Sequence, residues 1–249
     1  ARRAARRGGD LRAAHREGGA RARRLSDLRL IARGRDADVF ALDGPWVLRR
    51  YRSGRSCEHE AAVMEHARRA GYPVPEVRDA SGPDLVLRRV AGRTMADDGL
   101  RRPWRLGAHA RTLGLLHRRL HAIPPPPGLR PASVAGDAFL HLDLHPQNVL
   151  VGDGGPWVID WANAARGPAA LDVALTFVIV GAVPRARSPF ERFAGALRAR
   201  FAVEFLGAAD TAGVRDALPD AIAHRLADAN VTVEERRAVL ALRSRLPER

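Results

Sequence analysis

The sequence predicts an α+β fold, with strands gathered in the first third, helices filling the last third, and a polar motif on an apolar hairpin between them. Three observations carry this expectation. Short apolar runs broken by turn residues occupy Leu28 to Leu87 around a single helical stretch. Two capping boxes, Ser188-Pro189-Phe190-Glu191 and Thr232 to Glu235, open helices near the end of the chain. The segment His141-Leu142-Asp143-Leu144-His145-Pro146-Gln147-Asn148-Val149-Leu150, followed by Val158-Ile159-Asp160-Trp161, sets polar residues between apolar flanks. At 249 residues the chain can bury one large core or two small lobes.

Leu28 to Ala32 and Val39 to Leu42 read as strands joined through Arg33-Gly34-Arg35-Asp36-Ala37-Asp38. Trp46 to Tyr51 is a third strand, reached by the turn Asp43-Gly44-Pro45. Its period-2 alternation puts Val47 and Arg49 on one face and Leu48 and Arg50 on the other. Ser56 can cap a helix that runs to about Ala70 and stops at Gly71, with Pro73 beyond. Asp84 to Leu87 is a further strand, ending near Ala91-Gly92. Pro103 to His121 reads as a helix with proline in its first turn and Leu113, Leu116 and Leu120 on one face. Pro124 to Pro127 is a short stiff spacer. Leu150 to Ile159 reads as strand, glycine turn, strand, a hairpin that would bring Asn148 and Asp160 to one end. The longest apolar run, Val173 to Val183, is too short to span a bilayer and reads as a buried helix under the motif. Phe190, Phe193, Leu197, Phe201 and Phe205 then recur at helical spacing, a stripe expected in the core.

The central motif has the composition of a phosphoryl-transfer site. Such a site needs a carboxylate to receive a hydroxyl proton and oxygen ligands to hold magnesium on a nucleotide triphosphate. Magnesium is a hard cation and takes oxygen, so Asn148 and Asp160 are candidate ligands and the neighbouring histidines are not. Asp143 is positioned in sequence to orient an acceptor hydroxyl and take its proton.

These residues resemble the aminoglycoside phosphotransferase family, the small-molecule branch of the protein-kinase-like fold. The likeness rests on His141 to Asn148, on Ile159-Asp160-Trp161 and on Asp172-Val173-Ala174, and extends from about Leu28 to Val180. It implies a bilobal fold with a small antiparallel-sheet lobe, here 27–91 with one helix, and a larger, mainly helical lobe, 92–249. It implies Asp143 as catalytic base, Asn148 and Asp160 as ligands of Mg2+, and ATP as phosphoryl donor to a hydroxyl of a small molecule. Asp172 would brace the catalytic loop, and His141 would organise its backbone. His145 stands where protein kinases often carry a lysine near the transferred phosphate.

The resemblance also assigns the first lobe. Gly34 lies in the loop over the phosphates. Arg49 occupies the position of a phosphate-binding lysine, and Glu60 on the following helix would pair with it. Val47, on the same strand face as Arg49, would line the adenine pocket. The arginine is a departure: guanidinium is planar and binds in a fork rather than as a point charge. Arg88-Arg89 is a second departure, at the lobe junction, where relatives tend to have a glutamate.

The chain holds 42 arginines and no lysine, with a net charge of +14. Residues 1–26 contain nine arginines against Asp10 and Glu17, which is +7 of that charge. That segment has almost no apolar periodicity and is expected to be disordered or loosely helical. It lacks the apolar core of a secretory signal. The single cysteine, Cys57, excludes an internal disulfide and fits a reducing cytoplasm. His117 and His121 have the four-residue spacing of a metal pair, but no Glu follows His117 and no third ligand is evident, so they read as packing or surface histidines.

Acceptor identity should come from the last third. Residues 210–235 hold Asp210, Asp216, Asp220, Asp228, Glu234 and Glu235 against Arg215 and Arg225, the most acidic window of a basic protein. A polycationic acceptor would need such a patch; solvated helix faces would have the same composition. Three functional readings are compatible with these features. The first is an ATP-dependent kinase of an aminoglycoside-like or other small hydroxyl compound. The second is a non-catalytic kinase-like nucleotide-binding module, favoured by the missing lysine and thin glycine loop. The third is a polyanion-binding protein using residues 1–26. No membrane partner and no specific nucleic-acid partner are expected.

Overall fold

The computed structural model describes residues 28–152, 154–182, 188–228 and 231–244. The arginine-rich segment 1–26, with the expectations placed on it, lies outside them. Five antiparallel strands open the fold: β1 (Leu30–Arg33), β2 (Ala37–Ala41), β3 (Trp46–Tyr51), β4 (Val77–Ser81) and β5 (Asp84–Arg88), in the order β1-β2-β3-β5-β4. Each turn is made by residues suited to it. The β2–β3 turn passes through Gly44 at φ 68°, a conformation that favours glycine. Helix α1 (Glu58–Arg69) buries Ala61, Val63, Met64 and Ala67, while acidic residues in its first turn and basic ones in its last complement the helix dipole. Its N-cap is Cys57, not Ser56. Ser56 serves from one residue earlier, where its Oγ accepts from the Glu58 amide at 3.2 Å.

Beyond Val90 the chain enters a mainly helical region. It contains β6 (Arg93–Thr94), α2 (Met95–Arg101), a 3₁₀ turn at Pro103–Arg105, and α3 (Leu106–His121). Proline therefore opens a 3₁₀ turn and the α-helix proper begins three residues later than the sequence suggests. Leu113, Leu116 and Leu120 are buried on one face of α3 as their spacing requires. Next come β7 (Ala138–Leu140), β8 (Val149–Gly152), β9 (Gly155–Val158), β10 (Ala165–Gly167), and the helices α4 (Ala169–Gly181), α5 (Pro189–Ala208), α6 (Val214–Ala227) and α7 (Val233–Arg243). Of the Val173 to Val183 run, Val173 to Gly181 make up most of α4, which is apolar on all sides and carries eight buried residues, and Val183 lies outside the described residues. Helix α3 packs on α5, and α4 on α6.

Both capping boxes form, at Ser188–Glu191 and Thr232–Glu235. The aromatic stripe on α5 is only partly core: Phe201 and Phe205 are buried, Phe193 is 60% exposed, and the side chain of Phe190 lies outside the described residues. Helical spacing places residues on one face, but the buried positions of α5 among the described residues, Phe201, Ala202 and Phe205, lie in its second half.

Strands β4, β6, β7 and β10 and helix α2 are not legible in the sequence. Each strand among them lacks a clean alternating pattern, and β7 pairs with β10 across a separation that only the folded chain closes. The β7–β10 pair clamps the two ends of the motif, with Leu140 opposite Ala165. No helix among the described residues is long and apolar enough to cross a membrane.

Candidate active site

The hairpin of β8 and β9 carries the motif. Val149 pairs with Val158 and Leu150 with Trp157. The ladder runs one step further, because the Ile159 amide donates to the Asn148 carbonyl at 3.0 Å. Asn148 and Asp160 therefore emerge side by side at the open end. The opposite end is anchored by a close backbone approach. A Cβ on Gly152 would lie 2.1 Å from the Ala91 carbonyl oxygen, so only glycine lets the hairpin meet the segment that joins the two parts of the fold.

Asp143 lies on the loop between β7 and the hairpin. Asn148 Nδ2 donates to both the Asp143 carbonyl and Asp143 Oδ2, each at 2.9 Å. His145 Nε2 sits 3.2 Å from Asp143 Oδ1. Burial works to raise the Asp143 pKa, but the hydrogen bond and charge of His145, with His141 and Arg225 behind it, hold it below the usual carboxylate range. Asp143 is thus ionised at neutral pH.

The loop's shape is fixed from beneath by Asp172, which has no exposed surface. Its Oδ1 accepts from the Leu142 amide at 2.7 Å and its Oδ2 from the His141 amide at 3.1 Å. His121 Nε2 lies 3.1 Å and His117 Nδ1 3.6 Å from Oδ2. Burial would raise the pKa of Asp172, but these two histidines hold it well below the ordinary value. Spacing alone offers no third partner for His117 and His121. Asp172 is that partner, and it lies 51 residues beyond His121. Two backbone amides already occupy its oxygens.

Among the described residues, two that are not glycine adopt left-handed backbone, Leu142 at φ 59° and Asp160 at φ 67°. Such conformations are uncommon outside glycine, asparagine and aspartate, and persist where surrounding contacts over-determine them. They flank the site on both sides. His141, fully buried, bridges the two segments: its ring lies 4.7 Å from the Trp161 ring, and Nε2 donates to the Ile159 carbonyl at 3.2 Å. Burial lowers its pKa.

The roof of the cleft comes from β3 and α1. Arg49 Nη1 donates to Glu60 Oε1 and Nη2 to Asp160 Oδ1, both at 2.7 Å. Burial opposes the guanidinium charge, but Asp160 and then Glu60 outweigh it and raise the Arg49 pKa. Glu60 is also held by the Tyr51 hydroxyl and, at 3.1 Å, by the Trp161 amide. Tyr51 shares a strand face with Val47 and Arg49, a partner that the same alternation could have found. Val47 is buried and lines the cleft, as do Gly34, Asp143, His145, Asn148 and Asp160. Gly34 turns the β1–β2 hairpin through a 2.8 Å bond from its amide to the Ala37 carbonyl, and a Cβ there would press on that same oxygen at 3.0 Å.

The cleft continues past Asp143 between α4, α5, α6 and α7, and encloses about 1320 Å³ in all. Of the six acidic residues in the 210–235 window, only Asp228 and Glu235 line it. Asp210, Asp216 and Glu234 are exposed elsewhere, so the window is not a single acidic patch. Arg225 and His224 also line it, and sequence gives no signal for either: one is an arginine among 42.

Three comparisons bear on this arrangement. Residues 27–136 and 130–206 match the family model of the phosphotransferase enzyme family. No curated protein matches the chain. Among solved structures, the gentamicin complex of APH(2")-IIa is similar at 13% identity, covering 88% of this chain and 90% of that one with a TM-score of 0.59. A thermostable mutant of aminoglycoside phosphotransferase APH(4)-Ia is 18% identical over 88% of this chain and 94% of that one, with a TM-score of 0.57. An ethanolamine kinase of Plasmodium vivax is 13% identical over 87% and 81%, also with a TM-score of 0.57. At these identities the likeness is one of fold, that of protein-kinase-like small-molecule kinases. With the family match across most of its length, the chain belongs to the phosphotransferase enzyme family and transfers phosphoryl groups to alcohols.

Proposed function

We propose that the protein is an ATP- and magnesium-dependent kinase of a small-molecule hydroxyl compound. The observation that carries this reading is the convergence of Asp143, Asn148 and Asp160 on the floor of one cleft whose roof carries the Arg49–Glu60 pair. The donor set fits the cation. With Nδ2 of Asn148 spent on Asp143, its Oδ1 is the atom left for a metal, beside the carboxylate of Asp160. Magnesium, when bound, offsets charge on the phosphate oxygens.

The chain's own residues supply the rest. Val47 and its apolar neighbours receive the adenine ring. Arg49, steadied by Glu60, reaches the phosphates, and the Gly34 turn covers them. Asp143 accepts a hydrogen bond from the acceptor hydroxyl and takes its proton as the oxygen attacks in line. Its carboxylate is ionised and held in register by Asn148 and His145, so little reorganisation is needed. His145 stands beside the transferred group. His141 and Asp172 fix the loop without touching substrate. The nucleotide-lid region 27–91 and the acceptor-bearing region 92–249 divide these tasks between them.

A second reading, a nucleotide-binding module without transfer, is favoured by one observation: the Arg49 fork already engages Asp160 Oδ1. ATP turnover by wild type and Asp143→Ala across a panel of hydroxyl acceptors separates the two. A loss of about 10³-fold in kcat on substitution supports the kinase. Equal turnover in both proteins rejects the role of Asp143, and magnesium-dependent ATP binding without transfer by wild type selects the module.

A further inference from the structure

We propose that the acceptor is an alcohol carrying at most one charge and a substantial apolar body, and that Arg225 imposes this by pairing with the acidic side chains of the acceptor arm. The proposal rests on the kinase reading above and narrows it to a substrate class.

The arm is the part of the cleft beyond Asp143. Arg225, near the end of α6, is buried, and its charge is one of those that depress the Asp143 pKa. The neighbouring His224 in turn feels the charges of Asp228 and Asp143. Asp143, His224 and Arg225 line the same cleft, so the end of α6 is a wall of the arm. Among the described residues, the charged side chains of this arm are Arg198, Arg225, Asp228 and Glu235. Their formal charges cancel.

The cancellation is partly local: Arg225 sits between the two carboxylates, and Arg198 on α5 carries the second positive charge. Arg225 Nη1 lies 2.8 Å from Asp228 Oδ2, and its Nη2 lies 3.5 Å from Glu235 Oε2. One buried guanidinium thus engages both carboxylates that the arm possesses. A polycation needs several unneutralised carboxylates, because each ammonium group surrenders hydration on entry and must recover it from the site. Here such a ligand would meet Asp143 alone and face two arginines. A polyanion fares no better, since the two arginines share the arm with two carboxylates and Asp143 repels it.

The rest of the arm is apolar. Leu175, Ile179 and Val180 from α4 and Leu197 and Phe201 from α5 line it. Those side chains reward a ligand in proportion to the apolar surface it buries. An alcohol with a hydrocarbon body gains from this wall; a hydrated, multiply charged sugar does not.

Titration calorimetry of the full chain loaded with magnesium and a non-hydrolysable ATP analogue tests the assignment with two probes. Octyl glucoside, below its micellar concentration, represents the apolar-bodied neutral alcohol, and gentamicin the polycation. Wild type is expected to bind octyl glucoside more tightly than gentamicin. Arg225→Met removes the positive charge beside both carboxylates and is expected to tighten gentamicin at least about tenfold, with an affinity that falls steeply with salt. Arg225→Lys, which keeps the charge, is expected to stay within about threefold of wild type. Tighter binding of gentamicin than of octyl glucoside by wild type overturns the proposal, as does a smaller gain in a folded Arg225→Met. Should Arg225→Met fail to fold, Arg198→Gln on the exposed side of α5 serves instead, with a gain of about threefold for gentamicin expected and no gain overturning the proposal. Binding of the magnesium nucleotide is recorded first. Its absence would sink the kinase reading, while the charge dependence of the arm would still be read from the probes.

Discussion

Arg49 Nη2 lies 2.7 Å from Asp160 Oδ1, so the guanidinium on the roof of the cleft grips a carboxylate on its floor. The other arm of the same fork holds Glu60. A lysine has no fork and cannot hold both carboxylates in plane at once. On the proposed function, Asp160 would exchange one cation for another when a metal nucleotide enters. Arg49→Lys is expected to lower the magnesium concentration at half-maximal turnover about threefold, because the competing contact weakens. Arg49→Ala is expected to lower kcat by about 10²-fold through loss of phosphate stabilisation. Magnesium titrations of steady-state turnover check both. An unchanged midpoint in Arg49→Lys would show that the contact does not compete.

Asp172 receives two backbone amides and faces two histidines with no exposure to solvent. Asp172→Asn replaces a charged acceptor by a neutral one and turns an N–H toward groups that already donate. A loss of about 3 kcal/mol is expected in chemical denaturation. The loop would lose its template too, so kcat should fall while the nucleotide Kd stays near wild type.

Two glycines predict opposite outcomes for the same substitution. Gly152→Ala drives a Cβ to 2.1 Å from the Ala91 carbonyl, a backbone atom that cannot step aside without moving the hairpin. A destabilisation of about 2–4 kcal/mol is expected, with weaker nucleotide binding. Gly207, inside α5, meets nothing within 4 Å of the added Cβ beyond its own helix backbone and chain neighbours. Gly207→Ala is expected to stabilise by about 0.5–1 kcal/mol through helix propensity. Thermal melts of the two variants give the contrast directly.

His141 supplies a pH dependence with a definite sign. Burial lowers its folded pKa, so the unfolded chain binds the proton more readily. Stability is then full above the unfolded value of about 6.5 and falls as pH drops toward the folded one. His224, also lowered by burial, adds to the same slope. Replacement of His141 by Gln is expected to reduce the slope of stability between pH 5 and 6.5 by up to about 1.4 kcal/mol per pH unit. Denaturant midpoints at a series of pH values measure it, and an unaltered slope would place the titration elsewhere.

The residues grouped in the central motif were legible because local spacing alone governs them. Asp143, Asn148 and Asp160 are tied by a loop and one hairpin, and a hairpin's register follows from its turn and alternation. The same holds for Val47 and Arg49 on β3, for both capping boxes, and for the apolar run that became α4. Each depends on neighbours within a few residues. What the sequence could not supply depends on contacts across long separations. Tyr51 and the Trp161 amide meet on Glu60, the latter from 101 residues away. Strands β7 and β10 are three residues each and exist because they find one another. His117 and His121 lacked a third partner in sequence and acquired Asp172 in space. The acidic window divided because Asp228 at the end of α6 and Glu235 on α7 line the cleft while Asp210, Asp216 and Glu234 are exposed elsewhere, and Arg225, anonymous among 42 arginines, came to pair with both cleft carboxylates. Chain-local chemistry determined which side chains could handle a phosphoryl group. Tertiary packing alone decided which charges they would face, because burial and pairing belong to the folded surface rather than to any residue's place in line.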